Sequence, residues 1–146
     1  MSFLPSTNRY REPAVPMKPA IDPAGWKPSE LALNDDWIYQ LSKNQCDQIT
    51  NAVAEIEKSG QGIKDVRKSD FQLGDFAEEL AAIRDEFLNG RGFVLIRGVP
   101  VADMTREQSA IAFWGIGAHL GRAVSQNGQG HLLGHVKDVG GDYSDK

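Results

Sequence analysis

"LNGRGFVLIRGVPV", residues 88–101, decides how the rest of the chain is read. From Phe93 to Val101 the residues are apolar and mostly β-branched or aromatic, interrupted by Arg97 and bounded by glycine and Pro100. A short apolar run of this kind predicts a buried strand over 92–101. Asn89 and Gly90 stand just before it and end whatever precedes. What precedes is a helix: Phe76, Leu80, Ile83 and Phe87 recur at helical spacing and form one apolar stripe. Asp75, Glu78 and Glu79 crowd its first turn, where the positive end of the helix dipole favours them. Glu78 and Glu79 are adjacent and do not face each other on a helix, so they read as a solvated face rather than an acid/base pair.

Farther upstream, "DWIYQLS" (36–42) is β-prone and predicts a second strand. Ser42 then opens "SKNQ", a Ser-x-x-Gln capping box in which side chain and backbone satisfy each other at a helix start. Cys46, Ile49, Val53 and Ile56 follow at helical spacing, and Gly60 supplies a left-handed cap, so a helix is expected over 43–58. On the other side of the deciding stretch, "TREQ" (105–108) is a second capping box and opens a helix over 106–119. Its Gly115, Gly117 and Gly121 cost helix stability and point to close packing against another backbone or to an early end. His119, in the last turn, is expected to meet free carbonyls or to pack on the core. "SQNGQG" is a polar turn, "HLLGHVKDV" (131–139) predicts a strand, and "GGDYSDK" is a further turn.

Six of the seven prolines fall within residues 1–28. Proline lacks a backbone donor and fixes φ, so residues 1–34 read as an extended arm that lies over a body or is partly disordered. Trp26 is expected to anchor the arm by packing. Residues 35–146 form the body. The net charge of −4 and the absence of a basic run with interleaved aromatics exclude a nucleic-acid partner; "KDVRKSD" (64–70) carries both signs and reads as a solvated loop. No apolar stretch approaches the roughly 20 residues needed to cross a bilayer, so no membrane partner is expected. The first residues have no apolar signal segment, and the lone Cys46, placed on an apolar helix face as a buried and inert thiol, fits a reducing, cytoplasmic setting.

His131 and His135 stand four apart, which on a helix would let them share a metal ion. Gly134 and the preceding Gly-rich turn favour a strand instead, where residues four apart are about 13 Å apart and cannot reach one ion. Asp138, Asp142 and Asp145 lack the spacing of a calcium loop. "GIGAHLG" (115–121) follows a helical pattern rather than a strand, unlike a dinucleotide loop. No residue of the chain therefore receives a catalytic or metal-ligating role.

Taken in order, "LNGRGFVLIRGVPV" and "AFWGIGAHLGRAVSQNGQGHLLGHVKDVGGD" resemble the N-terminal part of the TauD/TfdA family of iron(II)- and 2-oxoglutarate-dependent dioxygenases, the clavaminate-synthase-like group. The resemblance covers about residues 73–142 and implies an α+β fold: the N-terminal part of a double-stranded β-helix, or jelly roll, with flanking helices. It implies Fe(II) and 2-oxoglutarate as cofactors of a full-length enzyme and a small organic acid as substrate. The iron of such enzymes is held by a His-x-Asp pair and a distal His. No His-x-Asp occurs here, so the chain is expected to stop before the iron triad, to bind neither cofactor tightly and to be inactive alone. By the same resemblance, Ser125, Gln126 and Asn127 lie near the mouth of the active site and would contact substrate or cosubstrate; the alternative is a turn whose side chains bond their own backbone. Arg97 and Arg122 read as structural. An isolated 1–146 chain is expected to be marginally folded, with apolar faces of the 76–89 helix and the 92–101 strand exposed. A small non-enzymatic α/β binding protein derived from an oxygenase is the competing expectation. The sequence does not set the oligomeric state.

Overall fold

A computed structural model describes residues 5–7, 9–125, 127–134 and 140. Its elements run in the order α1 (Pro28–Leu31), β1 (Ile38–Gln40), α2 (Lys43–Ser59), α3 (Phe76–Asn89), β2 (Leu95–Arg97) and α4 (Arg106–Leu120), with single 3₁₀ turns at Ile63–Asp65 and Val101–Asp103.

Local chemistry accounts for the long helices. At the start of α2, Ser42 Oγ accepts from Gln45 N at 3.3 Å while Gln45 Oε1 accepts from Ser42 N at 2.9 Å. At its end Gly60 takes φ 69°, the left-handed cap. The same reciprocal pair opens α4: Thr105 Oγ1 accepts from Gln108 N at 3.2 Å and Gln108 Oε1 from Thr105 N at 2.9 Å. All three long helices fall where the spacing places them. The arm contains one helical turn that its prolines did not suggest: α1 begins at Pro28, whose missing N–H is no loss at a first helical position.

Helix α4 packs on both α2 and α3. Ile49, Val53 and Ile56 of α2, Phe76, Leu80 and Ile83 of α3, and Ile111, Ala112 and Ile116 of α4 form one core with Phe71 and Leu73 from the α2–α3 connection. The apolar stripe of α3 is thus covered within these residues: Phe76, Leu80 and Ile83 are fully buried, contrary to the expected exposed face. Gly115 explains part of this fit. A Cβ there would overlap the ring of the fully buried Phe71, so the helix is thinned to admit a side chain, not another backbone. Gly117 and Gly121 have no neighbour within 4 Å of such a Cβ.

The two strands pair in parallel, Ile38 with Leu95, Tyr39 with Ile96 and Gln40 with Arg97. A parallel pair needs a long crossover, and α2 and α3 provide it. Tyr39 points inward and its ring stacks on Phe76 at 6.0 Å between centroids. Both strands are shorter than the apolar runs that predicted them, and β2 is not the buried strand expected over 92–101: Leu95 and Arg97 are exposed and Ile96 only half-buried. The helices cover one face of the pair, so alternate residues of an otherwise apolar run face outward. Cys46 is partly rather than fully buried, and its thiol donates to Gly98 O at 3.2 Å.

The arm lies over the body. Arg11 pairs with Asp22 at 2.6 Å and Glu12 N donates to Ile21 O at 3.0 Å, folding the arm on itself. Trp26 packs edge-on against Phe93 with centroids 5.1 Å apart, the anchor its aromatic character suggested. Among the described residues no helix is long and apolar enough to cross a membrane.

Candidate functional site

The turn after α4 gathers two of the three residues singled out for substrate contact. Ser125 Oγ donates to Asn127 O at 3.0 Å. Asn127 Oδ1 accepts from Gln129 N at 3.1 Å and from His131 N at 3.0 Å, and its amide lies 3.2 Å from His131 Nδ1. Asparagine here performs the familiar work of mimicking a backbone acceptor at a turn. Gln126 lies outside the described residues. The polar groups of Ser125 and Asn127 are engaged by their own loop, which is the alternative reading of this stretch.

The strand expected over 131–139 is not formed in its described part. His131–Gly134 is an irregular, mostly exposed segment held by the Asn127 turn and by Gly130 at φ 77°, and it has no strand partner among the described residues. A strand needs a ladder, and apolar character alone does not supply one. Residues 135–139 lie outside the description, so the His131–His135 pair is not seen as a pair, and Asp138, Asp142 and Asp145 are likewise outside it. Among the described residues no three His, Cys, Asp or Glu groups could hold a metal ion.

Residues 115–120, within the stretch that superficially resembles a dinucleotide loop, are helical, and His119 in their last turn is buried. Its Nε2 lies 2.8 Å from Phe71 O, the carbonyl contact expected of it. A carbonyl only accepts, so Nε2 carries a proton, while the buried Nδ1 has no partner among the described residues.

Next to the turn, the outward face of α4 borders a groove of about 590 Å³. Phe113, Trp114, Leu120, Val124 and Leu132 give it an apolar lining, and Arg67, Lys68 and Arg122 are its charged members. Trp114 is fixed in place by its Nε1–H, which donates to Val66 O at 3.0 Å. That bond also brings the 66–68 segment against α4, so part of the stretch read as a solvated loop forms one wall. Arg122 lines the groove and Arg97 projects from the outer face of the sheet; neither side chain forms an ion pair or hydrogen bond among the described residues, so no contact supports a structural role for either.

The densest polar cluster lies elsewhere and was not signalled by any motif. Glu86, in the last turn of α3, is fully buried and each of its oxygens accepts twice. Oε1 takes Arg91 N and Arg91 Nε, both at 3.0 Å. Oε2 takes Ser6 N and Arg9 Nη2, also at 3.0 Å. Arg91 is itself buried and reaches Asp36 at 2.6 Å; Arg9 reaches Asp85 at 2.8 Å. Burial pushes the Glu86 carboxyl upward, but the N–H donors of Arg91 and Ser6 and the Arg91 charge outweigh it and hold the group below its ordinary value. One oxygen thus belongs to the body and the other to the arm, and every acceptor position is filled. The stripe ends on Glu86 in place of Phe87, which is only partly buried.

No protein-family profile matches the chain. Over 123 residues, 84% of its length, it is 27% identical to the FR-33289 synthase of Streptomyces rubellomurinus (strain ATCC 31215). The match spans 36% of that enzyme, so the chain corresponds to about a third of its relative. The similarity is to a protein named as a synthase.

Proposed function

We propose that these residues are the N-terminal part of a TauD/TfdA-like iron(II)- and 2-oxoglutarate-dependent dioxygenase acting on a small organic acid. The carrying observation is the 123-residue similarity to a synthase three times the matched length, together with the ordered motifs of residues 73–142 that resemble that family. In this reading the α2–α3–α4 layer and the β1–β2 pair flank a jelly roll whose other strands come from chain outside these residues, and the turn at Ser125–Asn127 sits at the active-site mouth. The residues present do not fit an iron centre: the sequence has no His-x-Asp, no three-ligand cluster occurs among the described residues, and His119, the one buried imidazole among them, is committed to a carbonyl at Nε2. The iron ligands and the arginine for 2-oxoglutarate are therefore assigned to the rest of the protein, and no catalytic step is derived from this chain. Its contribution is a rigid helical layer and the loop at the mouth.

The test is to read the gene beyond the Lys146 codon and assay the complete polypeptide with iron and 2-oxoglutarate for succinate and carbon dioxide. A continuing frame with a His-x-Asp, a later His and an Arg, and turnover that disappears when the His-x-Asp pair is replaced, supports the reading. A frame without those residues, or a complete protein that never consumes 2-oxoglutarate, overturns it.

A further inference from the structure

The α4 groove has a composition that its surroundings do not explain. The chain carries a net charge of −4, yet Arg67, Lys68 and Arg122 line this one groove and no carboxylate does. None of the three side chains is in an ion pair or hydrogen bond among the described residues, and what sets the groove apart is that three cations line it together with no carboxylate among its lining. Cations gathered beside a concave apolar surface match a ligand with a negative head and an apolar body. The apolar part is equally distinctive. Phe113 is 70% exposed, Val124 66% and Leu132 39%, and none of the three belongs to the core formed by the described residues. Gly117 forms part of the floor, and no atom lies within 4 Å of where its Cβ would stand, so the depth of the groove depends on the missing side chain. The volume, about 590 Å³, lies within the range of small-molecule sites.

We infer that this groove binds an amphipathic organic anion. Its apolar body lies along Trp114, Phe113 and Leu120, and its head meets Arg67, Lys68 and Arg122. The inference does not depend on the oxygenase reading, because it concerns binding and no turnover.

Octanoate is a suitable probe, with octan-1-ol and octylammonium as partners of equal chain length. Calorimetric titration of the complete polypeptide that the gene encodes is expected to show one saturable octanoate per chain, with the alcohol and the ammonium at least about ten-fold weaker. Arg122→Glu and Arg67→Glu are each expected to weaken octanoate about ten-fold while leaving octanol unchanged, since only the head contact is altered. Gly117→Leu fills the floor without touching a charge and is expected to abolish binding of all three; its melting temperature and circular dichroism confirm that the helix stands. The inference is overturned if octanol binds as well as octanoate, if no saturable site appears, if the Arg67 and Arg122 variants bind octanoate normally, or if Gly117→Leu leaves binding intact. Concentration-dependent pairing of chains through Phe113, abolishing octanoate binding, would overturn it in favour of a second copy as occupant.

Discussion

Replacing Glu86 with glutamine tests the reading of the arm most directly. The substitution keeps size and shape but turns one of two oxygens into an NH₂ group. Both oxygens face N–H donors only: Arg91 N and Nε on one side, Ser6 N and Arg9 Nη2 on the other. Whichever way the amide turns, two hydrogen bonds become donor-to-donor contacts. Arg91, only 6% exposed, then keeps Asp36 as its sole counter-charge. Removing one partner of a buried ion pair costs about 3–5 kcal/mol, and the surviving Asp36 contact places this case near the lower end. A domain of this size is stable by roughly 5–15 kcal/mol, and each kcal/mol moves its melting point by about 3–4 °C. Glu86→Gln is therefore expected to melt about 10 °C lower at neutral pH. The acid dependence follows from the lowered carboxyl. A group whose folded value lies below its unfolded one contributes fully above the unfolded value, and the contribution fades as pH falls through the folded one. The gap between parent and variant should be widest at neutral pH and should close as pH drops below the ordinary glutamate range. Thermal unfolding followed by circular dichroism at several pH values reads both effects. A variant melting within about 2 °C of the parent at pH 7, or a gap that persists in acid, would refute the clasp. Arg9→Ala removes the arm-side charge alone and, with Arg9 partly exposed, should cost less while hastening proteolysis of the arm.

Three further outcomes follow from the helices and the turn. Gly115→Ala and Gly117→Ala should move stability in opposite directions: the first gains helix propensity but overlaps Phe71, a net loss of about 1–2 kcal/mol, whereas the second meets nothing within 4 Å and should gain up to about 1 kcal/mol, both read by urea titration. Ser42→Ala and Thr105→Ala each remove a cap that accepts from the third helical residue and should each cost about 1 kcal/mol, additively, because they open different helices. Asn127→Ala frees the amides of Gln129 and His131; limited proteolysis should cut the 127–134 segment faster while the melting point stays within about 2 °C of the parent.

The helices were legible because their determinants are local. A capping box spans four residues, the stripe of α3 repeats within fourteen, and Gly60 acts on the turn it closes. The strands were legible in place but not in extent, since an apolar run sets where a strand can form while its partner sets how much does; β1 offers β2 three residues. The Ser125–Asn127 turn was visible as a turn, and its hydrogen bonds are the ones its residue types favour. What stayed hidden depends on residues far apart in sequence. Arg67 and Lys68 are exposed, as a solvated loop should be, and only the Trp114 bond to Val66 O shows that they also border a groove. Glu86 looks like any acidic residue near a helix end until Ser6 and Arg9 arrive from about eighty residues away. Yet one local trace of that cluster was present at the start, in the stretch that decides the fold. Arg91 stands between Gly90 and Gly92, and a Cβ on Gly90 would collide with the Glu86 carboxylate. An arginine set between two glycines just past a helix, five residues after a glutamate, can fold back so that its own backbone and guanidinium grip that carboxylate together. The glycine beside it is then a requirement of the ion pair as well as the end of the helix, and the two roles can be separated: Gly90→Ala should weaken the Glu86–Arg91 clasp far more than helix propensity alone would lead one to expect.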